Sequence, residues 1–220
     1  MPGCINKRIL LTTFLYFFTG LLLNAQNNAI QKYGKANVFA GLEVGSKGVK
    51  LSLIELLNKE TDDADFKILK DTTINTDFIS FTQPTYQATL NAMNILYDVA
   101  SKQYDIPAVN IFTAISSGVH IQAEKEEKLG WIDQLINSFK YIINEPDRKV
   151  TVIDIKEEAR LSHLGIIPEA RRYKTFLIDI GSGNTKGGYF PYSDTTTFKL
   201  FELTWGTKSV ANATEKIMGN

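Results

Sequence analysis

The sequence predicts an α/β protein: a mixed sheet laid down first from antiparallel and then from parallel strands, followed by the opening of a second sheet. Three observations carry this. Strand-like runs at 37–44, 49–57 and 65–76 succeed one another with no helical pattern between them, so they pair as a meander. From 85 to 166 helical and strand-like patterns alternate, the order that crossover connections and parallel strands produce. At 174–204 three short strands return in the manner of the first three.

The elements follow in order. "NVFAGLEV" (37–44) is a strand that runs into the small residues "GSKG" (45–48), and "VKLSLIELL" (49–57) alternates as the returning strand of a hairpin. Asp62 and Asp63 mark an acidic turn before a third strand, "DFKILKDTTINT" (65–76). Pro84 sits at a helix start, and Leu90, Met93, Leu96 and Val99 give 85–104 one apolar face at helical spacing. "AVNIFTAI" (108–115) reads as a strand, and 119–143 as helix interrupted near Gly130. "KVTVIDI" (149–155) reads as a buried strand and "KEEARLSHLGI" (156–166) as a short helix. "KTFLIDI" (174–180), "KGGYF" (186–190) and "TFKLFELT" (197–204) are the last strands, and "GTKSVANATEKI" (206–217) the helix after them.

The totals narrow the function. The 220 residues carry 24 basic and 24 acidic side chains, a balance unlike the basic excess of a general nucleic-acid binder, so no nucleic-acid partner is expected. The single cysteine, Cys4, excludes an internal disulfide. Lys7 and Arg8 precede the uncharged run "ILLTTFLYFFTGLLL" (9–23), and a small residue, Ala25, follows. That order describes a secretory signal peptide over 1–25. The run falls short of the ~20 apolar residues of a spanning helix, although an uncleaved anchor is the competing reading. Export to the periplasm or the outside is therefore expected, with membrane contact only through this segment. Residues 26–36 are a polar lead-in, 37–170 a first domain, and 171–220 the start of a second that is incomplete.

Two turns share a pattern. Glu43 stands two residues before Gly45-Ser46-Lys47-Gly48, and Asp179 two residues before Gly181-Ser182-Gly183-Asn184-Thr185. Small residues let backbone N–H groups converge on an anion, and Ser46, Ser182, Asn184 and Thr185 add side-chain donors. A carboxylate beside such a turn repels phosphate but holds Mg²⁺, which bridges to phosphate oxygens. Each turn alone also reads as an ordinary glycine hairpin; it is the matched pair, each opening a meander, that favours a phosphate site.

The paired turns resemble the phosphate loops of the actin-like ATPase superfamily, which has the ribonuclease H-like fold. Within it, "DIKEEARLSHLGI" (154–166) resembles a segment of the exopolyphosphatase and guanosine pentaphosphate phosphatase family, and it stands about twenty residues before the second loop, as in that family. The resemblance spans roughly 36–212. It implies Glu158 as the general base for the attacking water, Glu43 and Asp179 as carboxylates for Mg²⁺, and Gly45, Ser46, Lys47, Gly181, Ser182, Gly183, Asn184 and Thr185 as the phosphate cradle. The implied substrate is polyphosphate or another phosphate-rich small molecule, hydrolysed at its terminal phosphoanhydride. From the residues alone the choice between Glu157 and Glu158 stays open: neighbours on a helix point about 100° apart, so one of them aims into a cleft, and both also suit a helix start.

The sequence departs from the family at three places. Lys186 stands where the second loop normally ends in a glutamate; Glu43 replaces an aspartate; and an arginine expected after the fourth strand is absent from "FTAISSGVH", with His120 nearby. These departures keep two further readings in play, an extracellular nucleotide phosphohydrolase and a polyanion-binding protein that does not cleave, the latter drawing on Lys47, Lys50 and Lys186. Three strands and one helix do not bury a full sheet face. Either more of the second domain follows, or a second copy of the chain supplies it in a homodimer, or the last meander packs onto the first domain.

Overall fold

The structure, a computed structural model, describes residues 37–57, 66–181 and 184–219. The expected signal peptide, the lead-in, Cys4 and the acidic turn at 62–63 lie outside the described residues, as do Ser182 and Gly183.

Strands β1 (Val38–Val44), β2 (Gly48–Leu56) and β3 (Phe66–Asn75) form the predicted antiparallel meander. Helix α1 (Gln83–Asp98) then crosses to β4 (Ile111–Ile115), which lies parallel to β1. Helices α2 (Ser117–Lys125) and α3 (Leu129–Ile142) lead to β5 (Val150–Val152), parallel to β4. The sheet order is β3-β2-β1-β4-β5. This is the mixed five-stranded sheet with helices that the family resemblance implies. After helix α4 (Ile155–Ile166), strands β6 (Leu177–Ile180), β7 (Thr185–Tyr189) and β8 (Lys199–Leu203) form a separate antiparallel sheet in the order β6-β7-β8. Helix α5 (Thr207–Met218) follows.

The physical reasons are local. In β1, Val38, Ala40, Leu42 and Val44 all point to one face and are buried, as a period of two requires. Thr82 caps α1 in a reciprocal box with Thr85, and Pro84 sits in the first turn, where its missing N–H costs nothing. Leu90, Met93 and Leu96 bring α1 onto the sheet, where they join Leu42, Leu51 and Ile115 in one core.

One expectation is corrected and one is refined. The run 149–155 is not a buried strand: only Val150–Val152 pairs, at the edge of the sheet, and Thr151 and Val152 are exposed. The helical stretch 119–143 is interrupted near Gly130, as expected, between Lys125 and Leu129. Glu127 takes φ of 57° between α2 and α3, and Gly130 lies inside α3.

The second sheet is anchored through α4. Ala159 packs with Phe190 and Phe198, and the His163 ring stands edge-on to both phenylalanines at 5.0 and 5.9 Å. The close strand pairing there depends on glycine: a Cβ on Gly187 would lie 2.0 Å from the Leu177 carbonyl oxygen. The other face of this sheet leaves Phe176, Ile178 and Ile180 exposed.

Candidate functional site

The two glycine turns are built alike. In each, the N–H of the first glycine donates to the carbonyl three residues on: Gly45 to Gly48 at 2.9 Å, and Gly181 to Asn184 at 2.9 Å. Each turn also meets the start of a helix. Ser116 N–H, at the cap of α2, donates to Val44 O at 3.0 Å, and Thr207 N–H, at the start of α5, donates to Gly181 O at 3.0 Å. Residues of both turns and of the start of α2 line one cleft of about 920 Å³.

The cleft gathers most of the predicted residues. Gly45, Ser46 and Lys47 line it from the first turn, Gly181 and Asn184 from the second, and Glu43, Glu158 and Lys186 form its acidic and basic centre. The start of α2 contributes Ser116 and Gly118; the latter has no Cβ, and one placed there would stand 3.1 Å from Ser46 Oγ. Thr185 does not join them. It is buried on the outer side of the turn and its hydroxyl donates to the Trp205 carbonyl at 2.7 Å. The Lys47 ammonium is paired with Asp77. The Gly45 N–H is spent on closing its own turn.

The pair Glu157 and Glu158 separates as adjacent helical positions must. Asp154 caps α4 by accepting from Glu157 N–H at 2.7 Å, and the Glu157 side chain turns outward to bind Arg160 through two contacts of 2.7 Å. Glu158 turns inward. Its Oε2 accepts from Ser117 N–H at 2.9 Å and its Oε1 pairs with Lys186 Nζ at 2.8 Å. Lys186 also reaches Asp179 Oδ2 at 3.4 Å, so one ammonium, its side chain only 10% exposed, bridges a helix carboxylate and a strand carboxylate.

The charges shape one another. Burial pulls the Glu158 carboxyl upward, but the hydrogen bonds from Lys186 and Ser117 outweigh it and leave its pKa lowered. Burial likewise opposes the Lys186 ammonium, yet Glu158 and Asp179 raise its pKa. Glu43 opens onto the cleft but sits deep between its walls. The loss of water there pushes its pKa up, Glu158 and Asp179 add to the rise, and Lys50 and Lys186 oppose it.

Register explains why lysines stand here. Glu43 lies directly across β1 and β2 from Lys50, and Asp179 directly across β6 and β7 from Lys186. In both hairpins the lysine comes seven residues after the carboxylate. That spacing around a two-residue loop is the sequence signal for a cross-strand pair, and it identifies Lys186 as a central residue of the site. Glu202 was also missed: it is directly across β7 and β8 from Lys186 and lines the cleft. Ser117 carries no sequence signal, because its part is played by a backbone N–H.

Among the described residues no group of three His, Cys, Asp or Glu side chains is placed to hold a metal ion. Glu158 and Asp179 are both engaged by an ammonium, which repels a divalent cation. The donor set around Glu158 and Asp179 does not fit a resident Mg²⁺.

No protein-family model matches the sequence, and no curated protein does. Solved structures match. A Ppx/GppA phosphatase of Aquifex aeolicus, the type II variant, superposes with a TM-score of 0.58 at 13% identity, over 81% of this chain and 55% of that one. An exopolyphosphatase from Cytophaga hutchinsonii gives 0.53 at 13% identity, over 80% and 53%. An exopolyphosphatase-like protein gives 0.53 at 15%, also over 80% and 53%. The chain spans about half the length of these structures. At such identities the likeness establishes the fold alone: a mixed five-stranded sheet with helices, matching that of the Ppx/GppA phosphatases.

Proposed function

We propose that the cleft is a phosphatase-like site for phosphoanhydride chains, polyphosphate above all, and that Glu158 is its working carboxylate. The observation that carries this reading is the convergence of two glycine turns closed by the same hydrogen bond, the start of α2 and one inward-facing glutamate on a single cleft. Helix starts and small-residue turns favour anions through their unpaired N–H groups. Ser46 and Asn184 add donors where both turns line the cleft.

In hydrolysis, Glu158 accepts a proton from water as its oxygen attacks the terminal phosphorus, and the anhydride P–O bond breaks to release orthophosphate and the shortened chain. Most of the acceleration in such a site comes from positioning and from dipoles aimed at developing charge. Phosphate chains carry divalent cations on their own oxygens; an ion brought in this way belongs to the substrate, with Glu43 and Glu202 facing it.

One observation favours a second reading, binding without cleavage. Both Glu158 oxygens are already bonded and its pKa is lowered, which weakens it as a base. The test is binding of tripolyphosphate and ATP by calorimetry alongside phosphate release, with Mg²⁺ and with EDTA. Hydrolysis predicts release from tripolyphosphate that falls by ~10²-fold or more in Glu158→Gln. Binding alone predicts affinity without release, and neither affinity nor release from either ligand overturns both readings. The N-terminal segment adds export: the chain recovered from cells should begin at Gln26 by mass spectrometry, and an intact Met1 on the mature protein would refute it.

A further inference from the structure

We infer that Lys186 is a resident cation that takes the place of a divalent metal ion between the carboxylates of this cleft. The inference rests on reading the cleft as a phosphate site, since that reading is what calls for a cation there.

The geometry is that of a filled site. The ammonium lies 2.8 Å from Glu158 Oε1 and 3.4 Å from Asp179 Oδ2, and its side chain is almost wholly enclosed. Glu202 holds the opposed position on the neighbouring strand pair, while the carboxylates in contact come from α4 and β6. Hard oxygen donors of this kind are what a divalent cation selects, and here an ammonium stands between them.

The arrangement is fixed by the fold. Asp179 and Lys186 are locked opposite by the β6–β7 register. The stem of Lys186 is confined in a strand whose next two residues are glycines, at which any Cβ would collide with backbone oxygens 2.0 Å away. Glu158 is held from behind by Ser117 N–H. Swinging the ammonium out would leave Glu158 and Asp179 without their counter-charge, and a metal ion entering the site would have to expel a side chain that is enclosed there.

A tethered ammonium differs from a metal ion in two ways. It cannot be removed by a chelator, and it carries a single charge. With two of its three N–H donors directed at Glu158 and Asp179, it has one left for a phosphate oxygen.

The test contains no phosphate, so its outcome is separate from that of the proposed function. The whole protein is titrated with Mn²⁺ and free ion is read by electron paramagnetic resonance, with melting followed in Mg²⁺ and in EDTA. The wild type should show no saturable Mn²⁺ site in the millimolar range and a melt unchanged by either addition. Lys186→Glu and Lys186→Gln should each gain a site at least about tenfold tighter than any wild-type binding, because the like charge is gone. Their melts should rise with Mg²⁺. A saturable micromolar Mn²⁺ site in the wild type overturns the inference, as does a folded pair of variants that bind Mn²⁺ no better than the wild type. If neither variant folds, the wild-type titration decides alone.

Discussion

The Glu158–Lys186 contact joins the helix that closes the first sheet to the central strand of the second, and its strength can be measured by a double-mutant cycle of Glu158→Gln, Lys186→Met and the pair. At 2.8 Å and an effective dielectric of 20 the bare attraction is about 6 kcal/mol. Most of this is cancelled by the desolvation of two largely enclosed groups and the ordering of a long side chain. What remains should be close to a charge-assisted hydrogen bond, about 1.5–3 kcal/mol. Glu158→Gln keeps an acceptor for Ser117 N–H, so the loss falls on the lysine. Lys186→Met keeps the apolar stem and leaves a carboxylate without its cation. Each single change should therefore cost about 1.5–3 kcal/mol in urea unfolding, and the double change should cost less than their sum by about 1–2 kcal/mol. Trp131 packs against the first core and Trp205 follows the last strand, so Trp131→Phe and Trp205→Phe backgrounds report on the two regions separately. A coupling below about 0.3 kcal/mol would refute the reasoning, because independent sites add to within that margin.

Other outcomes follow from the same arrangement. Phe190→Ala should destabilise by about 3–5 kcal/mol, since the ring is fully buried against His163 and Phe198; hydrogen exchange should quicken in 185–203 before 38–54, and equal quickening in both would show one cooperative unit. Glu43 and Glu158 should pull stability in opposite directions with pH. The raised pKa of Glu43 means that the folded state holds its proton more tightly, so its contribution is full below the unfolded value near 4.5 and is lost as pH rises through the folded value. The lowered pKa of Glu158 gives a contribution present above 4.5 and lost as pH falls through the folded value. Glu43→Gln should therefore raise the unfolding midpoint at neutral pH and leave it unchanged at pH below both values; a lower midpoint at neutral pH would show that the ionised carboxylate is favourably held.

Much of this was legible from the chain. The element order, the two meanders and the parallel crossovers follow from periodicity, because an amphipathic strand or helix has one face to bury and the alternation fixes how the elements stack. The edge position of β5 was not legible. "VTVID" is as apolar as a central strand, and burial depends on what lies beyond it, which composition does not state. The helix break near Gly130 was legible, but not the residue that makes it: glycine is the usual place for a positive φ, and here Glu127 takes it. Glu157 could have been assigned from sequence, since an arginine three residues on is the ordinary partner of a helix-surface glutamate.

The site divides along the same line. The carboxylate-to-lysine spacing of seven around both turns is local, and a hairpin with a two-residue loop converts it directly into a cross-strand contact. What happens to each lysine afterwards is not local. Lys50 is drawn sideways to Asp71 of β3 at 3.3 Å, because its hairpin sits inside a five-stranded sheet with a third strand beside it. Lys186 also has a third strand beside it, with Glu202 of β8 directly across, but α4 lies over it and supplies Glu158. The same spacing therefore gives a surface ion pair in the first hairpin and an enclosed one in the second. The difference is made by the helix and not by either turn, so the chemistry of the cleft is set by how α4 is pinned onto β7 through Ala159, Phe190 and Phe198.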